Sequence, residues 1–503
     1  VTDKLRPLMF VGTGSDVGKS ILCAGICRIL KQDGYQPAPF KGQNMSNNSY
    51  ATPDGREIGR AQAVQADAAG LPPHTDMNPI LLKPNSDQTS QLVINGKPAG
   101  NQSALSYFRQ TDRDKLFEIV MEAFNRLSPQ YAPIVIEGAG SISELNLKAR
   151  DITNMRVALK ANAATYLIAD IDRGGVFGSI YGTLELLTAE ERKLIKGIII
   201  NKFRGDIRLF EDGKKILEEI TGVPVVGVVP YFRDIHIEEE DAVTIVNKNF
   251  SSKAMVINVA IVLLSRMSNF TDFNALERDP RIHLYYTDKP EELKEADIII
   301  IPGTKSTLGD LQEIRKKGLV KEILSAYTKG KKVVGVCGGY QMLGQEIHDP
   351  DGVEGATSAI PGIGLLPVST TMLGNKTTEQ VSFNFLSSTE DCSGYEIHMG
   401  ETAVLEGSSQ PVNQIHNGKT DGFYLNDKCW GTYIHGIFDN PVVVDHLLSG
   451  LDATEVKLQS HHEYKEEQFD KLASLLRECM DIDYIKSTVT SPVLHDHQEE
   501  SDR

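Results

Sequence analysis

Two glycine-rich stretches carry residues able to do phosphoryl or covalent chemistry. The first, FVGTGSDVGKS (10–20), follows the apolar run LMFV and opens onto the helix-forming segment ILCAGICRILKQ. A glycine turn between strand and helix lets the backbone wrap around phosphates, and the helix N-terminus adds free N–H donors and a favourable dipole. We therefore expect Gly12, Thr13, Gly14, Ser15, Asp16, Val17 and Gly18 to cradle ATP. Lys19 should reach the β/γ-phosphates, and Ser20 should contact Mg²⁺. The spacing departs from G-x-x-x-x-G-K-[ST]: Thr13 stands where the first glycine belongs, and Gly12 lies one residue earlier. The bland alternative is a glycine turn with a chance GKS.

The second stretch, KVVGVCGGYQMLG (332–344), sets Cys337 between a strand and a helix, inside G-x-C-x-G. A sharp turn of this kind exposes a nucleophile, its small neighbours relieve crowding, and the following helix N-terminus favours a thiolate. The Gly338 N–H is a candidate oxyanion donor, with Gly303 in IIPGT as the second. His435 in TYIHGIF is the candidate base. The Cys337 stretch resembles the triad-type class I glutamine amidotransferases, whose third member is a Glu or Asp two residues after the His, but Ile437 stands there. Cys337 and His435 are therefore expected to act as a dyad or to borrow an orienting group from elsewhere. Asp439 and Glu401 are the nearby carboxylates, and His398 is expected to pack or bind substrate.

Further polar residues fall at predicted strand ends, where open α/β sheets bind ligands. Glu137 in IVIEGAGS (134–141) can complete the Mg²⁺ shell. Asp170 and Asp172 in LIADIDRGG are candidates to bind metal or orient substrate, and Asp172 and Arg173 are assigned to substrate. Asn201 in IIINKFRGD is placed to read an adenine edge. The run FKGQNMSNNSY (40–50) fits no helix or strand pattern. The P-loop, Lys41 and EGAG resemble the dethiobiotin synthetase-like ATPases, and that resemblance implies that Lys41 faces phosphate or an activated carboxylate. Gln43, Asn44, Ser46, Asn47 and Asn48 are expected to bind a substrate with many hydrogen-bonding groups, since Asn and Gln both donate and accept. An Asn-rich turn with structural caps is the alternative.

These groups need a scaffold. Apolar runs at 8–11, 133–136, 165–170, 197–200 and 225–229 alternate with helix-length segments, which indicates βαβ units and a parallel sheet. A second α/β series starts at 256–264 and continues at 283–287, 296–304 and 332–339, before a turn-rich, β-rich region. We expect a P-loop, doubly wound domain over 1–250, a flavodoxin-like α/β domain over 251–445, and a helical tail over 446–503 with a disordered end. The chain has 503 residues, 40% hydrophobic and 24% charged, which suits a soluble globular protein. No run approaches the ~18 apolar residues of a membrane span, and VTDKLRPLMFVGTG lacks a signal-peptide layout. A net charge of −16 argues against non-specific nucleic-acid binding. Six scattered cysteines suit a reducing cytoplasm, and Cys23 and Cys27 lack the second pair that zinc would need.

The long-spacer P-loop, Lys41 and EGAG resemble the dethiobiotin synthetase-like ATPases, and the Cys337 stretch resembles triad-type class I glutamine amidotransferases. The fusion implies amidation of a carboxylate with ammonia drawn from L-glutamine. GTGSDVGKS, FKGQNMSNNSY, REIGRAQAVQADAAG, DMNPILLKPNSDQTSQLVINGK, LIADIDRGGVFGS, NKFRGD, SNFTDFNAL, GVCGGYQMLG and GYEIHMGET are similar, in that order, to the cobyric acid synthases, over about residues 8–440. That resemblance implies ATP- and Mg²⁺-dependent amidation of the b, d, e and g side chains of adenosylcobyrinic acid a,c-diamide, a corrinoid. The related a,c-diamide synthases share both domains, but FKGQNMSNN belongs to the cobyric acid type. A non-catalytic assembly ATPase would leave Cys337 and His435 unexplained.

Overall fold

A computed structural model describes residues 5–490, apart from 85–88, 104–106, 108–111, 239–252, 254–255, 356, 406–409 and 452–458. The first sheet has the strand order Val225–Pro230, Ile195–Phe203, Ala164–Asp170, Leu8–Gly12, Ile134–Glu137, Ala38–Phe40, and every pairing in it is parallel. The apolar runs read from the sequence are its strands. Their unbroken hydrophobicity has a simple cause: both faces are covered. Along Leu8–Gly12, Met9 and Val11 enter one core while Leu8 and Phe10 enter the core on the opposite face.

The second of these cores is closed by the end of the chain. The helix His461–Cys479 begins in a capping box, with the Ser460 side chain and Glu463 satisfying each other's backbone N–H groups. It lays Phe469, Leu472 and Leu476 against Leu22, Ile26 and Ile29 of the helix Lys19–Gln32. Each such side chain contributes roughly 1.5–3 kcal/mol when buried. Arg28 fixes the register through Glu466 at 2.9 Å and Asp470 at 2.7 Å. From Ser460 through Thr490 the expected tail is thus an integral layer of the P-loop domain, whereas Leu447 and Leu448 belong to the core of the second. The tail's last residues, like the boundary expected near residue 250, lie outside the described residues.

The second domain has the strand order Ile282–Thr287, Ile257–Val262, Ile298–Ile301, Lys332–Val336, Cys429–Thr432, Phe423–Asn426, parallel except for the last pair. Beside it stands a sheet whose spine is the long hairpin Val368–Phe385 and Asp391–Val404. One apolar core spans the domain from Ile257 to Leu448.

The run at 40–50 is more regular than its composition suggests. Gln43–Met45 pairs in parallel with Ile80–Leu82 at the edge of a small four-stranded sheet, and Ser49–Ala51 pairs with Glu57–Gly59. Their polar side chains conceal strands held by tertiary hydrogen bonds. Among the described residues, no helix is long and apolar enough to cross a membrane.

Candidate active sites

The P-loop leaves the strand Leu8–Gly12 and closes at Gly18, whose φ of +95° suits glycine. A Cβ there would also stand 2.1 Å from Asn201 Nδ2. That amide donates to the Val17 carbonyl at 2.8 Å, and its oxygen accepts from the Lys202 N–H at 2.9 Å. Asn201 therefore braces the loop, and it also lines the cavity above it. Lys19 Nζ donates to the carbonyls of Gly14 at 2.9 Å and Gly140 at 3.0 Å, which ties the loop to EGAG. Burial pulls the Lys19 ammonium down to about 8, against the attraction of Glu137.

Glu137 is the hub of this site. Its Oε1 accepts from Ser20 Oγ at 2.8 Å and Lys41 Nζ at 2.8 Å, and its Oε2 accepts from Gln65 at 2.6 Å. Burial pushes the carboxyl up, yet Lys41 and the bonds from Gln65 and Ser20 hold it below the usual carboxylate range. A cavity of about 1690 Å³ opens over the loop, lined by Lys19, Ser20, Lys41, Glu137 and Asn201, and by Phe270 and Arg278 of the second domain. That volume exceeds what a nucleotide alone requires.

The other expected binders divide. Gln43 and Asn44 line the cavity, as does the exposed Met45. Gln43 Oε1 accepts from Tyr107 at 2.6 Å, and Asn44 Nδ2 donates to Gln62 at 3.0 Å. Ser46, Asn47 and Asn48 are absent from the cavity wall. Asn48 Oδ1 instead accepts the Phe270 N–H at 3.3 Å, and the neighbouring Ser49 N–H donates to Asn269 at 3.1 Å. This half of the run fastens one domain to the other. Arg173 reaches the cavity and lies 3.4 Å from Asp16, whereas Asp172 is held outside it by Arg204 at 2.6 Å.

In the second domain Cys337 sits at the turn between Lys332–Val336 and Gly338–Leu343 with φ 51° and ψ −112°, a strained conformation for a residue with a side chain. The turn is tight enough that a Cβ on Gly339 would lie 1.9 Å from the Ile301 carbonyl. Gly338 abuts the backbone of Thr304, and Gly303 lies against the His435 ring, so both expected oxyanion donors adjoin the pair.

The group that orients His435 is Asp272. Its Oδ2 stands 2.7 Å from His435 Nδ1, and its Oδ1 accepts the Gly436 N–H at 2.9 Å. Neither expected carboxylate has this place: Glu401 is exposed on its strand, and Asp439 turns to His461 at 3.5 Å. Burial opposes the His435 imidazolium, but Asp272 and Cys337 outweigh it and raise its pKa to about 10. The Tyr395 ring stacks on the imidazole with centroids 5.3 Å apart. His398 packs on Tyr433 at 3.8 Å between centroids and lines the cavity, as expected. That cavity, of about 360 Å³, holds Cys337, Gly338 and Gln341, and is bounded by Lys83 of the first domain.

Residues 258–443 match the model of the CobB/CobQ-like glutamine amidotransferase domain, and residues 8–245 that of the CobQ/CobB/MinD/ParA nucleotide-binding domain. The cobyric acid synthase of Parabacteroides distasonis is 59% identical over 96% of this chain and 99% of its own. That of Phocaeicola vulgatus is 57% identical over 95% of this chain and 97% of its own. That of Salmonella agona is 45% identical over 98% and 99%.

This chain belongs to the cobyric acid synthase family.

Membership in the cobyric acid synthases makes it a glutamine-dependent ligase and agrees with the two-site geometry. Asp272 was within reach of the sequence. It lies in SNFTDFNAL, a stretch that already carried the resemblance, but 163 positions from His435. Nothing in local spacing joins the two.

Proposed function

We propose that this chain amidates the b, d, e and g side-chain carboxylates of adenosylcobyrinic acid a,c-diamide, consuming ATP and glutamine for each amide. Cys337 thiolate attacks the glutamine amide carbon, and Gly338 with the Gly303–Thr304 strand end stabilises the oxyanion. His435 delivers its proton to the departing ammonia, and water then hydrolyses the thioester to glutamate. In the first domain the substrate carboxylate takes the γ-phosphoryl group, ammonia attacks the acyl carbon, and phosphate leaves. Lys19 and Lys41 neutralise charge that develops on the transferred group.

Ser20 Oγ and Glu137 Oε1 lie 2.8 Å apart, and both are hard oxygen donors that suit Mg²⁺. They would hold the ion, which when bound neutralises the β- and γ-phosphates. Gln43, Asn44 and Arg173 are assigned to the corrinoid, with Asp172 acting only through Arg204. The six free cysteines accord with a cytoplasmic setting.

The observation that carries this reading is a shared wall. The segment Ser268–Phe270 gives Ser268 and Asn269 to the Cys337 cavity and Phe270 to the P-loop cavity. Ammonia freed at Cys337 is therefore separated by one turn of chain from the large cavity that the P-loop lines. The test is a mass-spectrometric count of amides added to the corrinoid diamide with ATP and glutamine. Four additions are expected. No addition to the diamide, with activity on the undecorated acid instead, would move the assignment to a,c-diamide synthesis.

A further inference from the structure

The Cys337 cavity carries more charge than amide hydrolysis needs. Lys83, Lys305, Lys376 and Glu354 all line it. Two of the lysines are committed: Lys83 and Lys376 both pair with the fully buried Glu57, and Lys83 also donates to Ser49 at 2.7 Å. Lys305 differs. It follows the Gly303–Thr304 strand end, where its N–H donates to the Arg266 carbonyl at 3.0 Å. Its ammonium makes no ion pair among the described residues. Glu354 lines the same cavity, and its Oε2 accepts the Leu308 N–H at 2.9 Å, at the start of the helix Thr307–Lys316 that follows Lys305.

We propose that Lys305 binds the α-carboxylate of glutamine and Glu354 its α-ammonium, so that the pair selects the free amino acid and aims its amide at Cys337. This rests on the glutaminase reading above and names the groups that read its substrate. Both ends of a zwitterion are thereby met in one small cavity that also holds Cys337. Burial pulls the Lys305 ammonium down to about 8, with Lys83 adding to the effect, and burial pushes the Glu354 carboxyl up. A ligand bearing both charges relieves both penalties at once. The committed lysines cannot substitute, because releasing either one leaves Glu57 under-neutralised.

The experiment measures ammonia release from L-glutamine and from 4-aminobutyramide, which keeps the amide and ammonium but lacks the α-carboxylate. Lys305→Met should lower kcat/KM for glutamine about a hundredfold, mostly through KM, as expected for removing one partner of a charge pair. Its kcat/KM for 4-aminobutyramide should stay within about threefold of the parent value, since that ligand never used Lys305. Lys305→Arg should recover part of the loss. Glu354→Gln should show the converse pattern with glutaramate, which lacks the α-ammonium. Equal losses on glutamine and 4-aminobutyramide in Lys305→Met would overturn the assignment. A parent protein that releases no ammonia from glutamine would instead overturn the glutaminase reading on which it stands.

Discussion

Asp272 and His435 are 163 positions apart in the chain, yet Asp272 Oδ2 meets His435 Nδ1 at 2.7 Å while the same carboxylate holds the Gly436 N–H at 2.9 Å. Both side chains are buried. The two-point grip fixes the plane of the imidazole and commits Nδ1, which leaves Nε2 for the Cys337 thiol. The three side chains thus have the arrangement of a triad, with the carboxylate drawn from the turn Phe270–Phe273, ahead of Cys337 in sequence.

Asp272→Asn should keep the ring in place but lose the charge that stabilises the imidazolium. We expect glutaminase kcat to fall by about three orders of magnitude with a much smaller change in KM. Steady-state ammonia release measures this. A loss under tenfold would mean that Cys337 and His435 act as a dyad.

Cys337→Ala should abolish amidation driven by glutamine and retain amidation driven by added ammonium salt, because the acyl-phosphate chemistry lies in the other cavity. Amide formation is read by mass spectrometry with each nitrogen source in turn. Parallel loss of both activities would contradict separable sites.

What the sequence revealed and what it hid divide along physical lines. Parallel strands buried on both faces read as unbroken apolar runs, so both central sheets were legible. Cys337 and Lys19 stand at strand-to-helix turns whose glycines are forced by close backbone approach, and such turns are local. Asp272 is not local. Its role depends on the sheet bringing one strand end beside another. The helix His461–Cys479 was visible as a helix, but its packing on Lys19–Gln32 depends on Arg28, Glu466 and Asp470 meeting across the chain. FKGQNMSNNSY misled in a third way: its amides suggested ligand contacts throughout, whereas Asn48 spends its oxygen on the backbone of the second domain.

Lys41 and Glu137 form a buried ion pair at 2.8 Å. Lys41→Met removes one partner and leaves a buried carboxylate, which costs about 3–5 kcal/mol. Lys41→Met combined with Glu137→Gln should regain part of that stability without regaining ATP-dependent amidation. Chemical denaturation of the single and double variants, alongside amide counts, separates the two roles. Recovered activity in the double variant would remove Lys41 from the phosphoryl-transfer site.

Asn48 and Asn269 join the domains at the wall between the two cavities. Asn48→Ala should loosen that wall, so that glutamine hydrolysis continues while ammonia escapes. The expected result is a ratio of glutamate formed to amide formed well above one, against a parent ratio near one. The ratio is read from one reaction by quantifying both products. An unchanged ratio would place the coupling elsewhere along the interface.

The pH dependence follows from His435. Its pKa is raised in the folded protein from 6.5 to about 10, because Asp272 and Cys337 favour the imidazolium more than burial opposes it. A group raised on folding gives stability that is complete below its unfolded pKa and is lost as pH rises through its folded one. The His435 contribution should therefore be fully present below about 6.5 and fade toward about 10. Glutaminase turnover should fall on the same alkaline limb, since ammonia departs with a proton supplied by that ring. Asp272→Asn removes the main stabiliser of the charge, so its alkaline limb should move to lower pH. Denaturation midpoints and ammonia release, each measured from pH ~6 to ~10.5 for both proteins, test this. An alkaline limb at the same pH in both would show that another group, not His435, sets it.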